Sequence, residues 1–136
     1  SIKKHEGFRN KVYKDTLGKR TIGYGHLCVE DWWEDDKEYT QAELERIFDK
    51  DFDKAKEGAS KLYEGCEIND TAKGVIIEMV FQLGTTGVSK FKNMWKALKE
   101  TPPNYSVAKI EMLDSRWAKQ TPNRAKELSN IIGGIN

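Results

Sequence analysis

The sequence predicts an α+β fold dominated by helix, with a small β-hairpin lobe over about residues 1–40, a connecting helix over 40–62 and a helical lobe over 63–136. Three observations predict it. Short apolar pairs are interrupted by turn residues and glycines between Asn10 and Leu27. Apolar residues then recur at helical spacing from Leu44 to Leu62. Beyond Gly65, amphipathic stretches are separated by glycine and proline stops. With 136 residues, 38% of them apolar and 10% aromatic, the chain can bury one compact domain or two small lobes sharing a core, and global disorder is excluded.

The elements follow in order. Ile2, His5 and Phe8 suggest a short helix over residues 2–9 that carries Glu6. Val12-Tyr13 and Thr21-Ile22 read as strands around a turn at residues 16–19. Gly23 and Gly25 mark a bend or a close backbone approach. The acidic segment from Glu30 to Glu38 reads as a solvated loop with Trp32 or Trp33 packed beneath it. Thr40 and Glu43 fit a capping box, with Tyr39 and Leu44 as its hydrophobic staple. They open a helix bearing Leu44, Ile47, Phe48, Phe52, Ala55, Ala59 and Leu62, in which Gly58 is the weak point. Asp70 caps a helix running to about Gln82 and ending near Gly84 or Gly87. Phe91, Met94, Trp95 and Leu98 form the apolar face of a helix over residues 89–99, stopped by Pro102-Pro103. Residues 106–119 form another, carrying Val107, Ile110, Leu113 and Trp117. Thr121-Pro122 opens the last, which ends near Gly133-Gly134. Two lobes of this kind leave a cleft at their junction.

Composition narrows the function. Twenty-three basic residues nearly cancel twenty-two acidic ones, for a net charge of +1. That balance argues against a basic nucleic-acid binder. The most apolar stretch, residues 74–83, is broken by Glu78 and Gln82, so neither a membrane span nor stable membrane association is expected. The first residues show no hydrophobic signal region. Cys28 and Cys66, 38 positions apart, match no zinc spacing and read as free, half-buried thiols. Gly18, Gly23 and Gly25 make no phosphate loop, His5 and His26 no HExxH motif, and no GxSxG elbow occurs. No metal or other cofactor is implied, and a monomer is the default because no oligomerising stripe stands out.

Carboxylates remain. Glu6 lies among apolar neighbours, where a carboxyl holds its proton to higher pH and can act as a general acid. Asp15 sits at a hairpin turn, where a carboxylate stays ionised and can activate water, with Thr21 on the returning strand. Such a pair suits glycoside hydrolysis, although the spacing alone favours a surface Glu and a turn Asp.

Glu6, Asp15 and Thr21 together match the Glu-x8-Asp-x5-Thr pattern of the T-even phage lysozymes, glycoside hydrolase family 24, which the surrounding HEGFRNKVYKDTLGKRTIGYGHL resembles almost position by position. MVFQLGTTGVSKF (residues 79–91) resembles the family's central helix and following turn, and SRWAKQTPNRAKEL (115–128) its C-terminal block. The resemblance implies the bilobal phage-lysozyme fold. It also implies cleavage of peptidoglycan at the β-1,4 bond between N-acetylmuramic acid and N-acetylglucosamine, with inversion. Glu6 would be the general acid, and Asp15 and Thr21 would position and activate the attacking water. An inverting enzyme needs room for that water, hence carboxyls roughly 6.5–9.5 Å apart. By the same resemblance Leu27 and Phe81 contact the glycan, Arg124 pairs with the acid, His26 and Asp51 form a structural ion pair, and Gln82 and Trp117 hold the helical lobe together.

The chain departs from the family at Met94, where a polar Ser is usual, near Glu111, where a cleft Asn is usual, and in the acidic loop, which replaces a longer basic-polar stretch. These changes are compatible with catalysis and bear on substrate side-chain preference and affinity. The low net charge implies weaker, less salt-dependent attraction to an anionic wall. The expected role is that of an endolysin, made in the bacterial host cytoplasm and acting on the wall in the periplasm, with peptidoglycan glycan strands as its partner. The competing readings are a non-catalytic peptidoglycan-binding or virion structural module that kept the fold, a tail lysozyme domain of a larger chain, and a secreted lysozyme of a non-phage organism.

Overall fold

The computed structural model describes residues 2–3, 7–15 and 17–135. Ile2 and Lys3 are helical, but the helix expected over 2–9 does not reach Arg9, which opens the first of three strands among the described residues: β1 (Arg9–Lys14), β2 (Arg20–Gly23) and β3 (His26–Leu27). Six helices follow: α1 (Gln41–Tyr63), α2 (Asp70–Ser89), α3 (Lys92–Leu98), α4 (Tyr105–Leu113), α5 (Arg116–Gln120) and α6 (Pro122–Gly133). The fold is α+β, as expected. Its backbone divides into two compact units, residues 1–54 and 55–136, and the boundary falls within α1.

In the first unit the strands form an antiparallel sheet in the order β1-β2-β3. Tyr13 stands opposite Thr21 and Lys14 opposite Arg20. Thr21 in turn faces Leu27, and Ile22 faces His26. The third strand was not anticipated. It forms because Gly23 and Gly25 take φ of 65° and 86°, a left-handed conformation that turns the chain back at Tyr24. Residues opposed across antiparallel strands share a face. Tyr13, Thr21 and Leu27 therefore line one face, and Ile22 and His26 the other. Ile22 is fully buried against Trp33, Tyr39 and Leu44, with Val12, Cys28 and Ile47 packed around them.

The acidic loop has the expected tryptophan beneath it. Trp33 is buried, while Trp32 stays exposed. Arg20 braces the loop, pairing with Asp35 at 2.8 Å and donating from Nη2 to the Trp33 carbonyl at 3.0 Å. The capping box forms as predicted. Glu43 N–H donates to Thr40 Oγ1 and Thr40 N–H to Glu43 Oε2, each at 3.1 Å. Tyr39 and Leu44 are buried together as the staple requires.

The second unit is helical around a larger core that includes Ile76, Met79, Met94, Leu98, Met112, Leu128 and Ile132. Four details differ from the sequence expectation. Asn69, not Asp70, caps α2, its side chain accepting from Ala72 N–H at 2.9 Å. The helix breaks where predicted, at Gly84 (φ 78°, ψ 163°), but resumes to Ser89. The single helix expected over 106–119 is two, because Ser115 Oγ accepts from Ala118 N–H at 3.1 Å and starts α5 afresh. Thr121 stands at the N-cap of α6, yet its hydroxyl donates to the Trp117 carbonyl at 3.0 Å and does not cap that helix.

Candidate active site

The hairpin between β1 and β2 builds one part of the expected site. Asp15 ends β1, and its Oδ1 accepts two turn amides, Leu17 N–H and Lys19 N–H, each at 2.9 Å. Its backbone N–H donates to the Lys19 carbonyl at 2.9 Å, and Gly18 N–H closes the turn on the Asp15 carbonyl at 2.9 Å. This is the side-chain-capped turn that aspartate favours, with Gly18 supplying φ of 78°. Among the described residues both amides fall on Oδ1 and no bond falls on Oδ2.

Thr21 lies across the same turn and is only 3% exposed. Its Oγ1 donates to the Lys19 carbonyl at 3.0 Å. The Lys19 carbonyl is thus shared, taking the Asp15 amide and the Thr21 hydroxyl, and it ties the two residues into one rigid corner. With its proton committed, the hydroxyl offers a nearby water its lone pairs. Leu27, 43% exposed, lies on this same sheet face through its pairing with Thr21. Glu6, the expected acid, lies outside the described residues.

Both ring nitrogens of His26 are engaged. Its Nδ1 meets Asp51 Oδ2 of α1 at 2.7 Å. Its Nε2 meets Glu30 Oε1 at 2.9 Å, and the same oxygen accepts from the Trp33 indole N–H. Glu30 was missed as a partner, although its position four residues after His26 was the available signal. Burial of the imidazole opposes its charge, but the bonds to Asp51 and Glu30 outweigh that and hold its pKa above the usual histidine value. The counterpart effect holds for Glu30: burial raises its pKa, yet His26 and the Trp33 N–H win and set it below the carboxylate range. A second group missed from sequence is Glu45 on α1, which accepts from Lys3 Nζ at 2.7 Å and from the Tyr24 hydroxyl at 2.9 Å.

The remaining predicted positions belong to the second unit. Phe81 is half-buried on α2 against the core, and Arg124 is half-buried on α6. Trp117 donates its indole N–H to Gln82 Oε1 at 2.7 Å, and Gln82 Nε2 reaches Thr121 Oγ1 at 3.4 Å, so these two are the partners expected. The two departures, Met94 and Glu111, both line a cavity of about 400 Å³ with Phe91, Arg116 and Trp117. Cys28 and Cys66 are free and half-buried, and burial pushes both thiols up. Among the described residues no helix is long and apolar enough to cross a membrane.

These features define an α+β protein with a carboxylate and a threonine locked together at a hairpin turn. The chain belongs to the phage lysozyme family, whose model matches residues 3–130. It is similar to two proteins of Dictyostelium discoideum, probable T4-type lysozyme 2 (30% identical) and probable T4-type lysozyme 1 (31% identical); each alignment covers 96% of this chain and 90% of the relative. It is also 30% identical to the pre-baseplate central spike protein Gp5 of Enterobacteria phage T4; there the alignment covers 96% of this chain but 26% of the spike protein.

Proposed function

We propose that the chain is a muramidase, a single lysozyme domain in which α1 connects the two lobes. It cleaves the β-1,4 bond between N-acetylmuramic acid and N-acetylglucosamine in peptidoglycan with inversion. Glu6 protonates the leaving oxygen. Asp15 Oδ2 takes a proton from the attacking water, while Thr21 Oγ1 accepts that water's other hydrogen and fixes its direction. General acid–base help of this kind is worth roughly 10²–10⁴ in rate. Leu27 and Phe81 contact the glycan, and the product is a free reducing end. The observation that carries the reading is the corner at Lys19, which holds the carboxylate and the hydroxyl of an otherwise intact Glu-x8-Asp-x5-Thr set.

The test is reducing-end release from purified peptidoglycan, wild type beside Glu6→Gln. We expect muramic reducing ends from the wild type and none above background from the variant. Equal release by both removes Glu6 from the chemistry. One finding favours a second reading: a similar sequence occurs as a quarter of a protein named as a baseplate spike. A folded wild type that binds peptidoglycan and releases nothing makes the chain a structural or binding module of that kind.

A further inference from the structure

Trp32 is the largest apolar side chain left open among the described residues of the first unit, at 60% exposure. Its loop is well braced. Trp33 lies next to it, ring centroids 6.0 Å apart, and is itself packed edge-on against Tyr39 at 4.8 Å. The Trp33 indole N–H is held by Glu30, which His26 also binds, and Arg20 grips both Asp35 and the Trp33 carbonyl. An indole presented on a fixed base lowers the ordering cost of binding a ligand.

Two further observations say which ligand. The first is continuity. The loop departs from β3 directly after Leu27, on the sheet face of Thr21, and Leu27 and Val29 are exposed before Trp32 is reached. The second is charge. Residues 30–38 hold six carboxylates against the one Lys37. His26, Arg20, Lys37 and Lys11 pair with Glu30, Asp35, Glu34 and Glu38. Asp31 and Asp36 are exposed and have no such partner among the described residues. This surface repels anionic sugars and anionic lipid headgroups alike, and both the indole face and the free carboxylates attract an ammonium group. A pyranose carrying an unacetylated amine offers both complements: a C–H face for the indole and a cation for the aspartates.

We propose that Trp32, flanked by Asp31 and Asp36, is a stacking site for hexosamine rings with free amines, extending the glycan path beyond Leu27 and favouring de-N-acetylated strands. The inference rests on the muramidase reading and deepens it. The test is calorimetric titration of the whole chain, at mildly acidic pH and low salt, with the β-1,4 pentamer of glucosamine and the pentamer of N-acetylglucosamine. We expect the glucosamine pentamer to bind more tightly, with a preference that shrinks as salt rises. Trp32→Ala should weaken both ligands by roughly tenfold, the worth of one good aromatic contact, and Trp32→Phe should restore most of it. Asp31→Asn with Asp36→Asn should remove the preference and leave the acetylated pentamer unchanged. Trp32 is exposed, so an unchanged melting curve certifies each variant as folded. Wild-type binding that survives Trp32→Ala, or equal affinity for the two pentamers, overturns the proposal. Peptidoglycan cleavage measured in parallel keeps the two readings apart. A chain that cuts the wall but binds without Trp32 loses only this inference, and one that binds through Trp32 but cuts nothing loses only the muramidase.

Discussion

Asp15 does two jobs that a substitution can separate. Its Oδ1 holds the hairpin turn by accepting two amides, a role that needs an acceptor and no charge. Its proposed role toward water needs a base. Asparagine keeps the acceptor and lacks the basicity, so Asp15→Asn should melt close to wild type yet release no reducing ends. Asp15→Ala loses both roles. Its two turn amides lose their acceptor, and stability should fall by about 1–2 kcal/mol, read as a drop of a few degrees in Tm. An active Asp15→Asn protein would confine Asp15 to the turn. The turn itself was legible, since Asp15 and Gly18 bracket it. That Lys19 contributes a carbonyl to the site was not, because a backbone acceptor leaves no mark on residue identity.

At the scale of elements, His26 clips the sheet to α1 through Asp51 and to the loop through Glu30. The sign of its pH dependence follows from the shifts. The imidazole pKa is raised by folding, so its stabilisation is complete below the ordinary value of about 6.5 and is lost as pH rises through the raised value. Glu30 is depressed, so its share is complete above the ordinary value of about 4.3 and is lost as pH falls through the lowered one. Between those limits the clip is strongest. Asp51→Asn should therefore cost roughly 1–2 kcal/mol near pH 5.5, with the deficit shrinking by pH 9, as denaturant titrations at the two pH values would show. A deficit that is flat with pH would mean the contact never carries charge. Gly58 gives a second prediction. It reads as a weak point in α1, but a Cβ there would overlap Thr85 Oγ1, so the glycine makes room for a neighbour on α2. Gly58→Ala should destabilise with Thr85 present and gain up to about 1 kcal/mol in a Thr85→Ala background, a non-additivity that a double-mutant cycle measures. Additive effects would remove the close approach as the reason for glycine. The contrast shows what sequence could reach. The box at Thr40 and Glu43 was readable because capping is local. The split of 106–119 was not, because Val107, Ile110, Leu113 and Trp117 keep a helical period across the break; the first three lie exposed, and Ala108 and Met112 supply the buried face of α4 instead. Small and flexible side chains make a core face that a count of large apolar residues overlooks.

For the molecule as a whole, the two units hold unequal cores. Among the described residues, nineteen buried side chains form the core of residues 55–136, against Ile22, Trp33, Tyr39 and Leu44 in the first unit. Burial contributes about 25 cal/mol for each Å² of apolar surface, so the free energy resisting local opening should differ in the same direction. The first unit compensates with polar fixings, the His26 clip, the Arg20 brace and the Asp15 turn, and these resist distortion without matching the hydrophobic term. Its proposed chemistry asks for that balance, since a hairpin corner must be held to within a fraction of an ångström while the unit around it needs only modest stability. Native-state hydrogen exchange should then show the amides of β1 and β2 exchanging through an opening of lower free energy than those of α2 and α6. Leu98→Ala, which leaves a cavity in the second core, should cost about 2–5 kcal/mol and lower protection in the second unit first. Equal protection in both units, falling together in that variant, would mean that the chain opens only as one cooperative body and that the sheet draws its stability from more than its own four-residue core.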